Sequence, residues 1–467
     1  MILVKPEETF YRTTTRREFK EKQMIEQKRK QAGIAFPSHT KQENLLIVRL
    51  DVLPINLNVV RNGLRRLCTF FENIDSGVIK TNERVEDTIV MSPLSKFNFS
   101  ATIGFGQNFF RKLHLLDKCP KKLIEMPNYS NVGDHSQLGD HSQYLLSQTD
   151  IILQICSTKY SLNKMILQND QYLFYDNDYL ERNLTKLSSS DLLVLDIIKG
   201  IDGWAKITDL HVGFLRTDGR NIKGFYDGIS NPDRINNDVI WTSSNEELNE
   251  PADGTYMVFN KIEHNLEEWY KLDSSKHEKL IGRSKATGLL LGTLSSDIEQ
   301  KLVADLHSSN QEKRNQALKK WMQLINHQKD PKENFFNPYD FRYTSINRDC
   351  PASSHVRTAN TRQLNNQRLI FRRGYLYMEG IYQNLKSGLL FISFQKDIKE
   401  TFESIKKSPV RNSYTSNLKN GKYNENGLKD ENNIKGSFNN TNLGGGYYYI
   451  PPIPNKKISE IGQEFFQ

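Results

Sequence analysis

At 467 residues, with 64 basic against 55 acidic side chains and a formal charge of +9, the chain is long enough for two domains and needs no disulfide staples. The positive charge is spread through an Asn- and Lys-rich text with no dense basic helix, which argues against nucleic-acid binding, and no apolar run reaches the ~18 residues of a membrane helix. Four cysteines, Cys68, Cys119, Cys156 and Cys350, stand far apart without metal-ligand spacing and read as small apolar residues.

Residues 1–30 are polar and charged, a leader with no core face. Within them Thr15 to Lys20, TRREFK, is similar to a twin-arginine export signal, but EKQMIEQKRK follows where a hydrophobic region belongs. A cytoplasmic location is therefore expected, with twin-arginine export the disfavoured alternative. From Gln31 the text changes: QAGIAFPSH leads into NLLIVRLDV (44–52), a near-continuous apolar strand, and Asn56 to Phe71 is patterned as a helix. SATIGFG (100–106) and DIILQICS (150–157) read as strands. Between them GDHSQ occurs twice, at 133–137 and 139–143, predicting a loop whose His135 and His141 are solvated rather than metal ligands. DLLVLDII and HVGFL supply further strands.

GTYMVFNKIEHNLEEWYKL (254–272) is a strand followed by an amphipathic helix, and GLLFISFQKDIKETFESI (388–405) repeats that grammar. The fold class expected is α+β, with two ferredoxin-like domains at 31–215 and 216–452 whose antiparallel sheets carry helices on their faces. The second domain contains a charged helical insertion at about 297–335, read as a surface excursion, and an Asn-rich stretch at about 408–442, read as a flexible loop. Order should resume at GGGYYYIPP. The tail 453–467 ends in an apolar FF that could dock, fraying being the plainer expectation.

Two stretches carry chemistry. HVRTANTRQLNNQRLIFRRGY (355–375) combines one imidazole with a run of arginines, and Arg357, Arg362 and Arg372 are the group type that grips carboxylates bidentately. Imidazole for iron and guanidinium for propionates is what a haem site needs. GFYDGISNP (224–232) reads first as a Gly-rich turn that Asp227 closes.

Taken in order, GFYDGISNP, DGTYMVFNKI, IGRSKATG, DCPASSHVRTANTR, RLIFRRGYLY and GLLFISFQKDI resemble the blocks of the dye-decolourising peroxidases, nearest to the subgroup of bacterial deferrochelatase/peroxidases. QAGIAFP, SATIGFG and DIILQICS look like that subgroup's N-terminal half, so the resemblance covers nearly all of residues 31–452. It implies the DyP-type dimeric α+β barrel architecture and one haem b per chain. His355 would be the proximal iron ligand, Asp227 the distal acid-base carboxylate, and Arg372, first arginine of FRRGY, the distal arginine. Gly228, Ile229 and Ser230 match the family's haem-lining stretch, and Asn360, Thr361 and Arg362 match its Asn-Pro-Arg segment. Thr361 stands where the family has proline, so that loop should be less rigid.

The implied function is a peroxidase that uses hydrogen peroxide to oxidise organic donors such as dyes, phenols and porphyrinogens. Asp227 would shuttle the proton and Arg372 would stabilise developing negative charge as the O–O bond splits unevenly. Release of iron from haem with the porphyrin intact is the alternative. Non-catalytic haem binding or transfer is a third reading, against which the presence of both Asp227 and Arg372 argues. Trp204, Trp241, Trp269 and Trp321 are unranked candidates for surface radicals, with packing the ordinary role of each. Expected partners are peroxide, an organic electron donor and further copies of the chain (a homo-oligomer, dimer or higher), with no nucleic acid and no membrane span.

Overall fold

The computed structural model describes residues 29–35, 42–76, 78, 80–85, 88–93, 98–127, 140–158, 201–229, 231, 237–329, 350, 354–356, 369–380, 385–406 and 440–467. The apolar run NLLIVRLDV becomes strand β1 (Asn44–Val52), in which every residue but Asp51 is buried. Alternation sends Leu46, Val48 and Leu50 to one core cluster and Leu45 and Ile47 to another, as expected of a strand covered on both faces. Helix α1 (Leu57–Asp75) starts on Asn56, whose side chain accepts from the backbone N–H of Asn58. It lays Val60, Leu64, Leu67 and Phe71 against the first of those faces.

The remaining strands are β2 (Lys80–Val85), β3 (Thr88–Pro93), β4 (Ser100–Phe105), β5 (Asp140–Leu146), β6 (Ile151–Ser157), β7 (Ala205–Phe214), β8 (Thr255–His264), β9 (Phe371–Arg372), β10 (Tyr375–Glu379), β11 (Lys386–Gln395) and β12 (Asn440–Ile450). β2 and β3 form a separate ribbon. In the N-terminal half the sheet runs β7-β1-β6-β4, and in the C-terminal half β12-β8-β11-β10, all antiparallel. Each half thus places its strands in the order fourth, first, third, second, the ferredoxin-like arrangement. The halves meet edge to edge, β4 with β12 at Phe105 and Tyr449, and β7 with β10 at Phe214 and Leu376. Two open sheets thereby close into one barrel, which leaves those edges paired.

The barrel interior is apolar at Ile152, Met257, Phe259, Tyr375, Leu390 and Ile392, and charged elsewhere. Fully buried Arg49 on β1 donates from Nε and Nη2 to the two carboxylate oxygens of Asp209 on β7 at 2.7 and 2.5 Å, and from Nη1 to the carbonyls of Ser147 at 2.8 Å and Gly445 at 3.1 Å. One guanidinium therefore ties both halves together. His211 Nε2 lies 2.9 Å from Asp209, its ring stacked on Phe259, and Lys261 pairs with Glu379 at 2.6 Å.

Three expectations are corrected here. The second GDHSQ copy is not loop: Asp140–Leu146 pairs in parallel with the start of β12, taking up an edge that β4 covers only at Tyr449. The C-terminal tail does not fray, because Phe465 is 5% exposed and sits 5.1 Å from Phe105 and 4.9 Å from Phe110. β12 begins at Asn440, inside the stretch expected to be a loop. The first GDHSQ copy, the leader before residue 29, DLLVLDII and residues 407–439 lie outside the described residues. All four cysteines are buried free thiols, and among the described residues no helix is long and apolar enough to cross a membrane.

Candidate active site

Residues 219–227, which take in the first four of GFYDGISNP, form a small hairpin. Arg220 bridges Tyr226, the N–H of Asn221 donates to the carbonyl of Phe225 at 2.7 Å, and that of Asp227 to Gly219 at 3.2 Å. Its turns use Gly219, Gly224 and Gly228 at φ of 71°, 89° and 76°, a region open to glycine at little cost. The Arg220 guanidinium lies 3.9 Å from the Tyr226 ring centroid and donates to the carbonyl of Gly224 at 2.8 Å and to that of Lys285. Asp227 emerges exposed at the open end of the hairpin, away from the turn at 221–224, one carboxylate oxygen accepting the N–H of Gly228 at 2.7 Å.

Two helices hold this hairpin from behind. α2 (Gln107–Lys112) and α3 (Leu266–Tyr270) lead along the chain to α4 (Ser274–Ile281), and then to α5 (Ser296–Leu306) and α6 (Gln311–Lys329). The insertion expected to be a surface excursion is a buttress: Leu302, Ala317, Trp321 and Ile325 pack with Leu289 and Ile229, and Trp321 Nε1 donates to the carbonyl of Thr287 at 2.8 Å. A Cβ on Gly288 would come within 2.6 Å of Ile229 Cδ1, so the IGRSKATG glycine makes room for the residue two after Asp227.

Arg372 reaches the same place from β9. Phe371 faces the barrel core, while Arg372 shares the opposite face with its pairing partner Ser393 and with half-exposed Phe391 and Leu389 of β11. The side chain of Asn231, four residues beyond Asp227, donates to the carbonyl of Arg372 at 2.7 Å and accepts from its backbone N–H at 3.1 Å and its Nε at 3.4 Å. Among the described residues the hydrogen bonds of Arg372 all run to Asn231, none of them from its terminal guanidinium nitrogens and none to Asp227. The neighbouring Arg373 is spent on structure, donating to the carbonyl of Ile34 at 2.9 Å, to the side chain of Gln42 and to the Tyr375 hydroxyl at 3.4 Å.

His355 is exposed between buried Ser354 and Val356. Val356 packs with Phe225, Trp269, Ile281 and Leu290, so the residue after the histidine and the residue two before Asp227 belong to one apolar cluster. Cys350 Sγ lies 3.5 Å from both the Gly282 carbonyl and Ser354 Oγ. Gly282, the left-handed cap of α4, permits this approach: a Cβ there would stand 2.6 Å from Ser354 Oγ.

Behind the cluster His277 stacks on Trp269 at 4.2 Å, its Nε2 2.6 Å from the Trp269 carbonyl and its Nδ1 2.7 Å from Lys285 Nζ. Burial pushes the His277 pKa down, favouring a neutral ring that accepts from Lys285 and donates to the carbonyl. All four tryptophans are buried, in keeping with packing. Ser230, Arg357, Asn360, Thr361 and Arg362 lie outside the described residues. Sequence reasoning missed Asn231, though it stands in the GFYDGISNP block, and missed the helical buttress, whose signal was Trp321 in an otherwise charged helix.

Through Val356 and Phe225 in one cluster, and through the Asn231 side chain on Arg372, the hairpin that carries exposed Asp227 is joined both to the segment of exposed His355 and to β9, where Arg372 stands beside half-exposed apolar side chains of one sheet face. That donor set fits a haem: nitrogen for iron, and an apolar wall for the ring.

Family models for the Dyp-type peroxidase N-terminal and C-terminal domains match residues 31–176 and 218–454. The chain belongs to the Dyp-type peroxidases. It is 24% identical over 406 residues to a protein of Escherichia coli called deferrochelatase, covering 81% of this chain and 77% of that one. A deferrochelatase of Yersinia pestis is 24% identical over 395 residues, covering 80% and 74%. Among solved structures, the DyP-type peroxidase from Cellulomonas bogoriensis superposes with a TM-score of 0.56 at 20% identity, covering 92% of this chain and 96% of that one. An oxyferrous complex of DtpA from Streptomyces lividans gives 0.59 at 19% identity, covering 93% and 95%. As a Dyp-type peroxidase the chain is an oxidoreductase, and its closed pair of ferredoxin-like halves is the family's fold.

Proposed function

We propose that this Dyp-type peroxidase holds one haem b per chain, with His355 as the iron ligand and Asp227 and Arg372 as the catalytic pair on the reactive side. The observation that carries the reading is the Asn231 side chain, which joins the Asp227 hairpin to Arg372 from a position 141 residues away. Gly228 and Ile229 would line the ring, with Ser230, Asn360, Thr361 and Arg362 completing its surroundings. When bound, haem supplies the iron that binds peroxide and the redox equivalents that oxidise an organic donor.

The protein's part is proton movement and electrostatics. Asp227, exposed and held among the described residues by the N–H of Gly228, can accept a peroxide proton and return it to the departing oxygen. Arg372 carries permanent charge with its terminal nitrogens uncommitted among the described residues, and it stabilises the negative charge that develops as the O–O bond opens. Asp227→Asn and Arg372→Leu should each slow the spectral reaction with peroxide by about 10²–10³-fold in stopped flow. His355→Ala should purify haem-poor. Wild-type rates in both distal variants together with normal haem loading in the third would overturn the assignment.

A second reading is favoured by the relatives named deferrochelatase: iron release from haem with the porphyrin intact, using the same residues. Assaying donor oxidation beside formation of free protoporphyrin separates the two.

A further inference from the structure

We infer that Asn231 is the positioning residue that fixes the Arg372 guanidinium relative to Asp227, by standing in for a missing β-strand. The argument rests on the assignment of Arg372 above. β9 is only two residues long and has β11 on one side. Arg373 turns its N–H toward that side, to the carbonyl of Ile392 at 2.8 Å. Arg372, one residue earlier in the alternation, turns both its N–H and its carbonyl to the other edge, which no strand among the described residues covers. There the Asn231 carboxamide meets them as a strand would, donor to acceptor at 2.7 Å and acceptor to donor at 3.1 Å. Asparagine presents a donor and an acceptor side by side at the shortest carboxamide reach, whereas aspartate, of the same length, lacks the donor.

The same Oδ1 accepts from Arg372 Nε at 3.4 Å, so the contact reaches the side chain as well as the backbone. On the other end, Asn231 is rigidly joined to Asp227: its N–H donates to the Gly228 carbonyl at 3.1 Å, and Ile229 between them is seated against Gly288 and the α5–α6 buttress. A short, anchored turn therefore links carboxylate and guanidinium, which positions both without either bonding the other. Precise placement of such pairs governs rate strongly.

The test is a double-mutant cycle on the haem-loaded enzyme, using Asn231→Ala, Arg372→Leu and both together, with two readouts: the stopped-flow rate with peroxide and the affinity of the ferric protein for fluoride, an anion the guanidinium would stabilise. Asn231→Ala should lower both by tenfold or more, and should lower neither further in the Arg372→Leu background. Asn231→Asp, which keeps the acceptor, should lose less and serves if the alanine variant folds poorly. A full additional loss in the Arg372→Leu background would make Asn231 merely structural and overturn the inference. So would wild-type values for Asn231→Ala while Arg372→Leu is impaired. If Arg372→Leu itself behaves as wild type in both readouts, the assignment of Arg372 falls, and the inference with it.

Discussion

Arg49 shows how much one buried charge can organise. Burial alone would raise the Asp209 carboxyl, but hydrogen bonds and charge from Arg49 and His211 reverse this and hold it well below the usual carboxylate range. A lowered folded-state pKa contributes stability that is present above the unfolded value, ~3.9, and lost as pH falls through the folded value. Arg49→Leu should cost about 3–5 kcal/mol in urea unfolding at neutral pH, because it strands a buried carboxylate, and should flatten the acid loss below pH ~4. An unchanged midpoint would refute this. The residues that carry chemistry were legible as types in motifs: His355, Asp227 and Arg372 could be named from sequence. Arg49 was visible only as the one cation inside NLLIVRLDV, and its partner could not be read without the register of β1 on β7. Asn231 was unreadable for the same reason, since its function exists only once β9 has an open edge.

Among the elements, the C-terminal tail carries a pH-dependent charge. Burial pushes the Glu464 carboxyl up from its ordinary 4.5 to about 7, and its Oε2 has no hydrogen-bond partner among the described residues. Here the folded state binds the proton more tightly than the unfolded chain. Stability is therefore fully present below pH 4.5 and declines as pH rises through about 7. Glu464→Gln should remove that decline, worth about 1–3 kcal/mol across the window, leaving the tail docked at pH 8. Parallel pH slopes for wild type and variant would dismiss the idea. The strand-helix grammar of 254–272 and 388–405 was legible because apolar periodicity reports local structure directly. The docked tail and strand β5 were not: a polar GDHSQ becomes a strand only when a distant edge, that of β12, needs a partner.

For the molecule as a whole, the sequence divides into two halves while the structure closes them into one barrel through β4 with β12 and β7 with β10, with Arg49 crossing the seam to Gly445. The halves should accordingly unfold as one cooperative unit. Hydrogen exchange followed by mass spectrometry through a urea series should expose the amides of β1 and β6 at the same midpoint as those of β8 and β11, and two separated midpoints would contradict a shared barrel. The closure was not readable from periodicity, since each half is a complete ferredoxin-like sheet in its own right. The adjacent arginines of β9 bear on the same long-range design. In a strand, neighbouring side chains face opposite ways, so a slip of one residue would put Arg373 where Arg372 belongs without changing the composition of anything. What forbids the slip is the grip of Ile34, Gln42 and Tyr375 on Arg373. Ile34 and Gln42, more than 300 positions upstream and remote from the chemistry, thus keep the phase of the reactive strand, and damage there would be felt as a lost guanidinium.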